Sequence, residues 1–69
     1  MTLTNTQKIE LENQAYYIYN EFQATMAGQT MSDLDALESH FNNVADELGE
    51  NKEDLWDKCE TMFEQNINI

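Results

Sequence analysis

Apolar residues recur along the chain at the three- and four-residue spacings of one helical face, and they do so in three segments. Gly28 and Gly49 are the only glycines; they separate the segments, and there is no proline. No stretch alternates apolar and polar residues as a half-buried strand does. The pattern therefore predicts three amphipathic helices. Their apolar positions are Leu11, Ala15, Ile18, Phe22 and Met26 in the first, Leu34, Leu37, Phe41, Val44 and Leu48 in the second, and Leu55, Trp56, Cys59, Met62 and Phe63 in the third.

Polar residues at the start of each segment predict where the helices begin. The first helix is expected to start near Thr4 or Thr6, and Thr4 and Gln7 have the spacing of a capping box. Ser32 is the expected N-cap of the second helix, with Thr30 as a competitor, and Asn51 is the expected N-cap of the third. The two glycines are expected to end the first and second helices, where a left-handed residue is favoured. We therefore expect helices over about residues 5–27, 32–48 and 51–65.

The connections between these helices are short, which favours antiparallel neighbours. The predicted fold is a single all-α domain over residues 1–69, a small three-helix antiparallel bundle that runs up, down and up. A domain of this size buries only about 60% of the surface of its unfolded chain. Contact with a partner or a second copy would therefore add stability that a small core does not supply.

The three tyrosines of the first helix cannot all face one core. Tyr19 extends the main apolar stripe, whereas Tyr16 groups with Ile9 and Tyr17 lies on a third side. Tyrosine is favoured at interfaces because it combines apolar area with a polar tip. Tyr16 and Tyr17 are therefore predicted to contact a partner or a second copy in a homodimer, the alternative being ordinary amphipathic packing. Trp56 has two similar interpretations, as the edge of the core or as a partner-binding anchor.

The charge of the chain excludes several classes of partner. Fourteen acidic residues against three lysines give a net charge of −11, and there is no arginine. Direct binding to nucleic acid needs clustered Lys and Arg, and anionic membrane surfaces attract the same residues, so we expect neither. The expected partners are basic proteins or cations.

Targeting signals and cysteine usage favour a cytoplasmic location. The first residues lack the basic and apolar regions of a signal peptide, and no apolar run approaches the ~20 residues of a membrane span. Cys59 is the only cysteine, so an internal disulfide is excluded. It lies among apolar residues, which suits a small core side chain in a reducing compartment.

Acidic residues are concentrated in the second half of the chain, where positions 33–69 hold eleven of the fourteen. Asp54 and Lys58 are four residues apart with the acid first, the favourable order for a helical ion pair. We expect that pair to form. One stripe of the third helix carries four further acids, which we expect to lack partners, at spacings of four, three and four: Glu53, Asp57, Glu60 and Glu64. The outer side of the second helix and the following turn add Asp35, Glu38, Asp46, Glu47 and Glu50.

The charge spacing of these rows predicts a mimic of a nucleic-acid backbone. The stripe on the third helix carries one charge per roughly 4–5 Å of helix axis, and one strand of duplex DNA carries one per about 3.4 Å. In this hypothesis the nine carboxylates replace phosphates on a basic nucleic-acid-binding surface of another protein, and Tyr16, Tyr17 and Trp56 provide apolar anchoring. The alternative is a solvated acidic face that only aids solubility.

No set of residues indicates catalysis, a cofactor or a metal. His40 has no second ligand at the spacing of a helical metal pair. Asp33 and Asp35 begin like a calcium loop, but the required glycine is missing. Acyl carrier proteins carry phosphopantetheine on the serine of an Asp-Ser-Leu motif. This chain has the reversed order Ser32, Asp33 and Leu34. We therefore expect a protein that is not an enzyme and needs no cofactor.

In size, charge and helicity the chain resembles the small acidic inhibitors that phages and mobile elements encode. Members of that class occupy the DNA- or RNA-binding sites of host enzymes, including restriction, CRISPR and repair nucleases. No matched motif carries the resemblance, so it implies a function class and no functional residues. The rival hypothesis is a small helical dimerisation or regulatory adaptor that binds through its apolar surface.

Overall fold

The computed structural model describes residues 2–67, with side chains over residues 2–65. It contains three α-helices: α1 (Asn5–Met26), α2 (Leu34–Leu48) and α3 (Lys52–Ile67). There is no strand among these residues, and the all-α three-helix bundle is confirmed. The helix bounds differ from the predicted ones by at most two residues. Within residues 2–67, no helix combines the length and apolar character needed to cross a membrane.

The first and third helices begin at the predicted caps. The Gln7 backbone N–H donates to Thr4 Oγ1 at 3.1 Å, and the Thr4 N–H donates to Gln7 Oε1 at 2.9 Å. These two bonds complete the capping box. Ahead of α3, Asn51 Oδ1 accepts the backbone N–H of Glu53 at 2.8 Å.

The second helix is capped by Asp33, so the predictions of Ser32 and of Thr30 were wrong. One carboxylate oxygen of Asp33 accepts the N–H of Asp35 at 3.0 Å and that of Ala36 at 3.4 Å. A carboxylate brings a full negative charge to the positive end of the helix dipole, which a neutral serine hydroxyl does not. The physical preference for the acid therefore moves the start of α2 towards Asp33.

Both glycines lie at helix ends in the left-handed region, with φ of 77° at Gly28 and 71° at Gly49. After α2, the Gly49 N–H donates to the carbonyl of Asp46 at 3.1 Å, and the Glu50 N–H donates to that of Ala45 at 3.0 Å. These bonds satisfy carbonyls that the end of the helix leaves unpaired. Gly49 thereby turns the chain directly into α3.

The two connections differ in length and path. The short turn after Gly49 makes α2 and α3 antiparallel neighbours, so that Asp46 lines a depression with Glu53. The segment after α1 instead runs back along that helix. Ser32 shares a groove with Gln14, which lies about 18 Å before the end of α1 at 1.5 Å per residue. This path leaves a groove open between α1 and the start of α2.

All three helices contribute to one core. Cys59 is only 2% exposed, which confirms the prediction that it is a core residue. Met26 and Met62, predicted to belong to the apolar stripes, are instead exposed. Met26 ends α1 one turn beyond Phe22, whose ring still contacts α3, and Met62 lies on the outer side of α3. The buried side chains are Ala15, Ile18, Tyr19, Phe41, Val44, Ala45, Leu55 and Cys59.

The molecule is thin, and its core is correspondingly small. Its principal extents are 39 × 30 × 18 Å, so the shortest is less than half of the longest. Leu55 and Cys59 are the largest fully buried side chains. Few side chains are therefore more than one layer from solvent, as expected for a domain of this size.

Candidate functional site

Eight of the nine carboxylates predicted to face a partner lie at exposed positions of α2 and α3. Their exposure leaves them hydrated, and in the described part of the chain none of them forms an ion pair. We call these eight residues the acidic surface. It consists of Asp35, Glu38, Asp46, Glu47, Glu53, Asp57, Glu60 and Glu64.

Glu50, the ninth, is half-buried and is paired with Lys58. Lys58 Nζ lies 2.6 Å from Glu50 Oε1. The hydrogen bond to Glu50 raises the pKa of Lys58; burial opposes the shift, and the charges of Glu50, Glu12 and Asp54 add to it. The predicted Asp54–Lys58 pair was therefore wrong, because the turn after Gly49 places Glu50 nearer to the ammonium. Glu50 consequently has less freedom to meet a partner than the acidic surface has.

A groove between α2 and α3 joins acidic and aromatic side chains. It has a volume of about 550 Å³, within the range of about 300–1,000 Å³ that is typical of ligand pockets. Most of its wall is apolar, and Phe22 of α1 also lines it. We call it the aromatic groove. Its lining residues are Phe22, Glu38, Phe41, Asn42, Lys52, Glu53, Trp56 and Asp57.

Trp56 is the centre of the aromatic cluster that supports this groove. Its ring centroid lies 4.5 Å from that of Tyr19, 5.4 Å from Phe22 and 5.3 Å from Phe41, each in an edge-to-face arrangement. Edge-to-face pairs at such distances place a positive ring edge against a negative ring face. Trp56 remains half-buried, so it belongs to the core and to the groove wall at once.

The two long walls of the groove are built from the same short pattern. Residues 38–42 of α2 and residues 53–57 of α3 both read glutamate, two other residues, an aromatic residue, and then Asn or Asp. On a helix the first, fourth and fifth positions of this pattern share a face. Two antiparallel copies therefore place aromatic rings at the base of the groove and polar side chains at its rim. This match was the signal in the sequence from which the groove could have been predicted.

The other end of the acidic surface approaches Tyr19. Burial raises the pKa of this buried tyrosine, and the negative charges of Glu60 and Glu64 raise it further. Tyr19 also contacts Phe63, with ring centroids 5.6 Å apart. The stripe of α3 thus runs from the aromatic groove at Glu53 to Glu64, next to Phe63.

The tyrosines predicted to act with Trp56 lie elsewhere. Tyr17 is 67% exposed and lines the groove between α1 and the start of α2, which has a volume of about 670 Å³. Tyr16 is half-buried against the core. Neither lines the aromatic groove, so the structure brings Trp56 together with the carboxylates and leaves Tyr17 on a separate surface.

The side chains with possible chemical reactivity are Cys59, Ser32 and His40. Burial raises the pKa of the Cys59 thiol to about 11, and the charges of Glu12 and Glu50 contribute. The thiolate, which is the nucleophilic form, is therefore scarce at neutral pH. Ser32, Asp33 and His40 line one groove, but the Asp33 carboxylate accepts backbone N–H groups of α2, and no hydrogen bond within residues 2–65 joins the three. No group of three or more His, Cys, Asp or Glu side chains there could hold a metal ion.

Comparisons with known proteins add no functional information. The chain matches no protein-family model, no curated protein and no solved structure. Its functional interpretation therefore depends on the geometry and charge of its own residues.

Proposed function

We propose that this chain is a non-enzymatic acidic protein that binds a basic nucleic-acid-binding surface of another protein and competes with the nucleic acid. The observation that carries the proposal is the acidic surface, whose eight carboxylates are exposed and lack ion-pair partners among the described residues. A rigid array of unpaired charges is what a surface built to bind phosphates can recognise. A protein can be soluble without concentrating its carboxylates on two helices, and it can be soluble with lysines that compensate their charge.

Electrostatics favours fast association with such a target. The net charge is −11, and eight of the fourteen acids belong to the acidic surface. Complementary potentials steer two proteins together and raise the association rate at low ionic strength. The same potential repels nucleic acid, so the chain would bind the protein and leave the nucleic acid free.

The proposed target class is a nuclease of a host defence system, of the CRISPR or restriction type, with the chain encoded by a phage or mobile element and acting in the host cytoplasm. Such enzymes have extended basic surfaces that contact phosphates without reading sequence. A small helical protein can cover part of such a surface without reproducing a double helix. The buried Cys59 thiol suits a reducing compartment.

Charge reversal with a matched control tests this proposal. The Asp57→Lys/Glu60→Lys variant changes two members of the acidic surface. Glu10→Lys/Asp54→Lys produces the same change in net charge at exposed positions outside it. Each exposed charge pair contributes roughly 0.2–1 kcal/mol, and reversal replaces attraction by repulsion. We expect the first variant to weaken target binding by more than about fivefold and the control to weaken it less.

The target is obtained by capture from a nuclease-treated lysate of the cells that carry the gene, or of the host if the gene belongs to a phage. Immobilised wild-type chain and both variants are compared, and retained proteins are eluted with salt or with duplex DNA. The proposal predicts a nucleic-acid-binding protein that duplex DNA displaces. It fails if no such protein is retained, or if the Asp57→Lys/Glu60→Lys variant retains it as well as the wild type. Circular dichroism verifies that each variant remains helical.

The second candidate function is a dimerisation or regulatory adaptor that binds through apolar surface on α1. Ile9 is 59% exposed and Tyr17 67% exposed, and the two positions are about 80° apart around the helix axis, so a single apolar partner can contact both. Light scattering after gel filtration would show a dimer that Ile9→Ser/Tyr17→Ser abolishes. Apolar docking also responds little to ionic strength, whereas binding through the acidic surface weakens steeply as salt screens it.

A further inference from the structure

We propose that the aromatic groove is the specificity pocket of the acidic surface and that it receives an arginine side chain of a basic protein partner. The inference rests on the proposed function, which it deepens by naming the group that is recognised. A stripe of carboxylates alone would attract any cation. The groove adds a concave, mainly apolar site that is lined by Phe22 of α1 and by carboxylates from both α2 and α3.

Aromatic surface at the base of the groove favours a cation that can stack. Trp56 is half-buried, so part of its indole faces the groove while the rest contacts Tyr19, Phe22 and Phe41. Tryptophan is the strongest aromatic partner for a cation, through the negative face of its ring. The three edge contacts hold the indole in place, so a bound side chain meets a ring that is already oriented.

The rim of the groove supplies complementary charge and acceptors. Glu38 stands on the α2 side, and Glu53 and Asp57 stand on the α3 side. Lys52 also lines the groove, so three carboxylates and one ammonium give a local charge of −2. The amide oxygen of Asn42 is a further acceptor at the rim. A guanidinium at the base could then donate in its own plane towards either wall.

These features select arginine over lysine. A guanidinium is planar, stacks on aromatic rings, donates in a bidentate manner to carboxylates and is more weakly hydrated than an ammonium. An ammonium would lose strong hydration on entering walls that are mainly apolar. A second copy of the chain is a poor occupant, because the sequence has no arginine and two copies repel through a net charge of −11 each.

Trp56 is the only tryptophan, so its emission and its indole N–H resonance report on the groove. The probes are hexa-arginine and hexalysine peptides, which carry the same charge. We expect hexa-arginine to cause a saturable change in both signals and to bind about three- to tenfold more tightly than hexalysine. Equal affinities with equal signals would overturn the proposal, because they would show attraction by charge alone.

Three exposed single substitutions locate the binding. Asp57→Asn removes a rim carboxylate, whereas Glu10→Gln removes one negative charge from an exposed position of α1 that does not line the groove. We expect Asp57→Asn to weaken hexa-arginine binding at least about threefold relative to Glu10→Gln, and Lys52→Gln to strengthen it about twofold. Equal effects of Asp57→Asn and Glu10→Gln would place the peptide outside the groove and overturn the proposal. A change in Trp56 emission with protein concentration alone would make a second copy the occupant and overturn it too.

The peptide assay and the capture assay fail independently. If hexa-arginine occupies the groove but no nucleic-acid-binding protein is captured, the arginine pocket is supported and the proposed function is refuted. A different result would support the proposed function and refute the pocket. In that case a protein that DNA displaces is captured, but Asp57→Asn weakens its binding no more than the control Glu10→Gln does.

Discussion

Replacement of Trp56 by alanine should remove a large part of the stability of this bundle. The indole makes three edge-to-face ring contacts, with centroid distances of 4.5–5.4 Å, and each such pair contributes about 0.5–1.5 kcal/mol beyond area burial. At most about a third of Trp56 is exposed, and burial of two-thirds of a tryptophan surface of about 200 Å² adds roughly 3 kcal/mol at 25 cal/mol per Å². Because these terms overlap, we expect a loss of about 3–4 kcal/mol.

That loss is large relative to the total unfolding free energy of the domain. A domain of 69 residues has an unfolding free energy of about 3.5–10 kcal/mol at 0.05–0.15 kcal/mol per residue. Urea denaturation followed by far-ultraviolet circular dichroism measures the change without relying on tryptophan fluorescence. Trp56→Ala should unfold at much lower urea or lose its cooperative transition, whereas Trp56→Phe, which keeps a ring, should be intermediate.

Tyr17→Ala is the matched control, because Tyr17 is an aromatic residue that is 67% exposed. Its change in unfolding free energy should stay within about 0.5 kcal/mol. A loss below about 1 kcal/mol for Trp56→Ala would refute the reasoning, since it would mean that the four rings do not support one another.

Further predictions concern the helix end, the thiol and the ion pair. Gly49→Ala should lower the unfolding free energy by about 1–2 kcal/mol, because φ there is 71° and alanine resists left-handed backbone; denaturation in urea measures this. Cys59 should react with a thiol reagent only as fast as the protein unfolds. The folded state holds the Cys59 proton to a pKa of about 11 against 9.0 unperturbed, so stability should fall as pH rises from 9 to 11, and less steeply in Cys59→Ala. Glu50→Gln should cost at most about 1 kcal/mol, since the Lys58 side chain of this ion pair is 57% exposed, and should lower the Lys58 pKa measured by NMR.

Much of the local structure could be predicted because it depends on neighbours in sequence. The capping box at Thr4, the cap at Asn51 and the helix end at Gly49 all involve residues within a few positions of one another. The error at Ser32 was also local: a charged side chain one residue further along is the stronger cap. The exposure of the acidic surface could be predicted because its residues lie on the helix faces opposite the apolar stripes.

The sequence by itself determined that the chain forms three amphipathic helices with an acidic second half, because helical periodicity and charge are properties of short segments. Only the tertiary structure decided which side chains meet. It paired Lys58 with Glu50 in place of Asp54, placed Trp56 beside Glu38 and Asp57, and left Tyr17 on another surface. These contacts depend on the turn after Gly49 and on the path of the chain after α1, which bring together residues far apart in sequence. No periodicity within one helix encodes the distance between two.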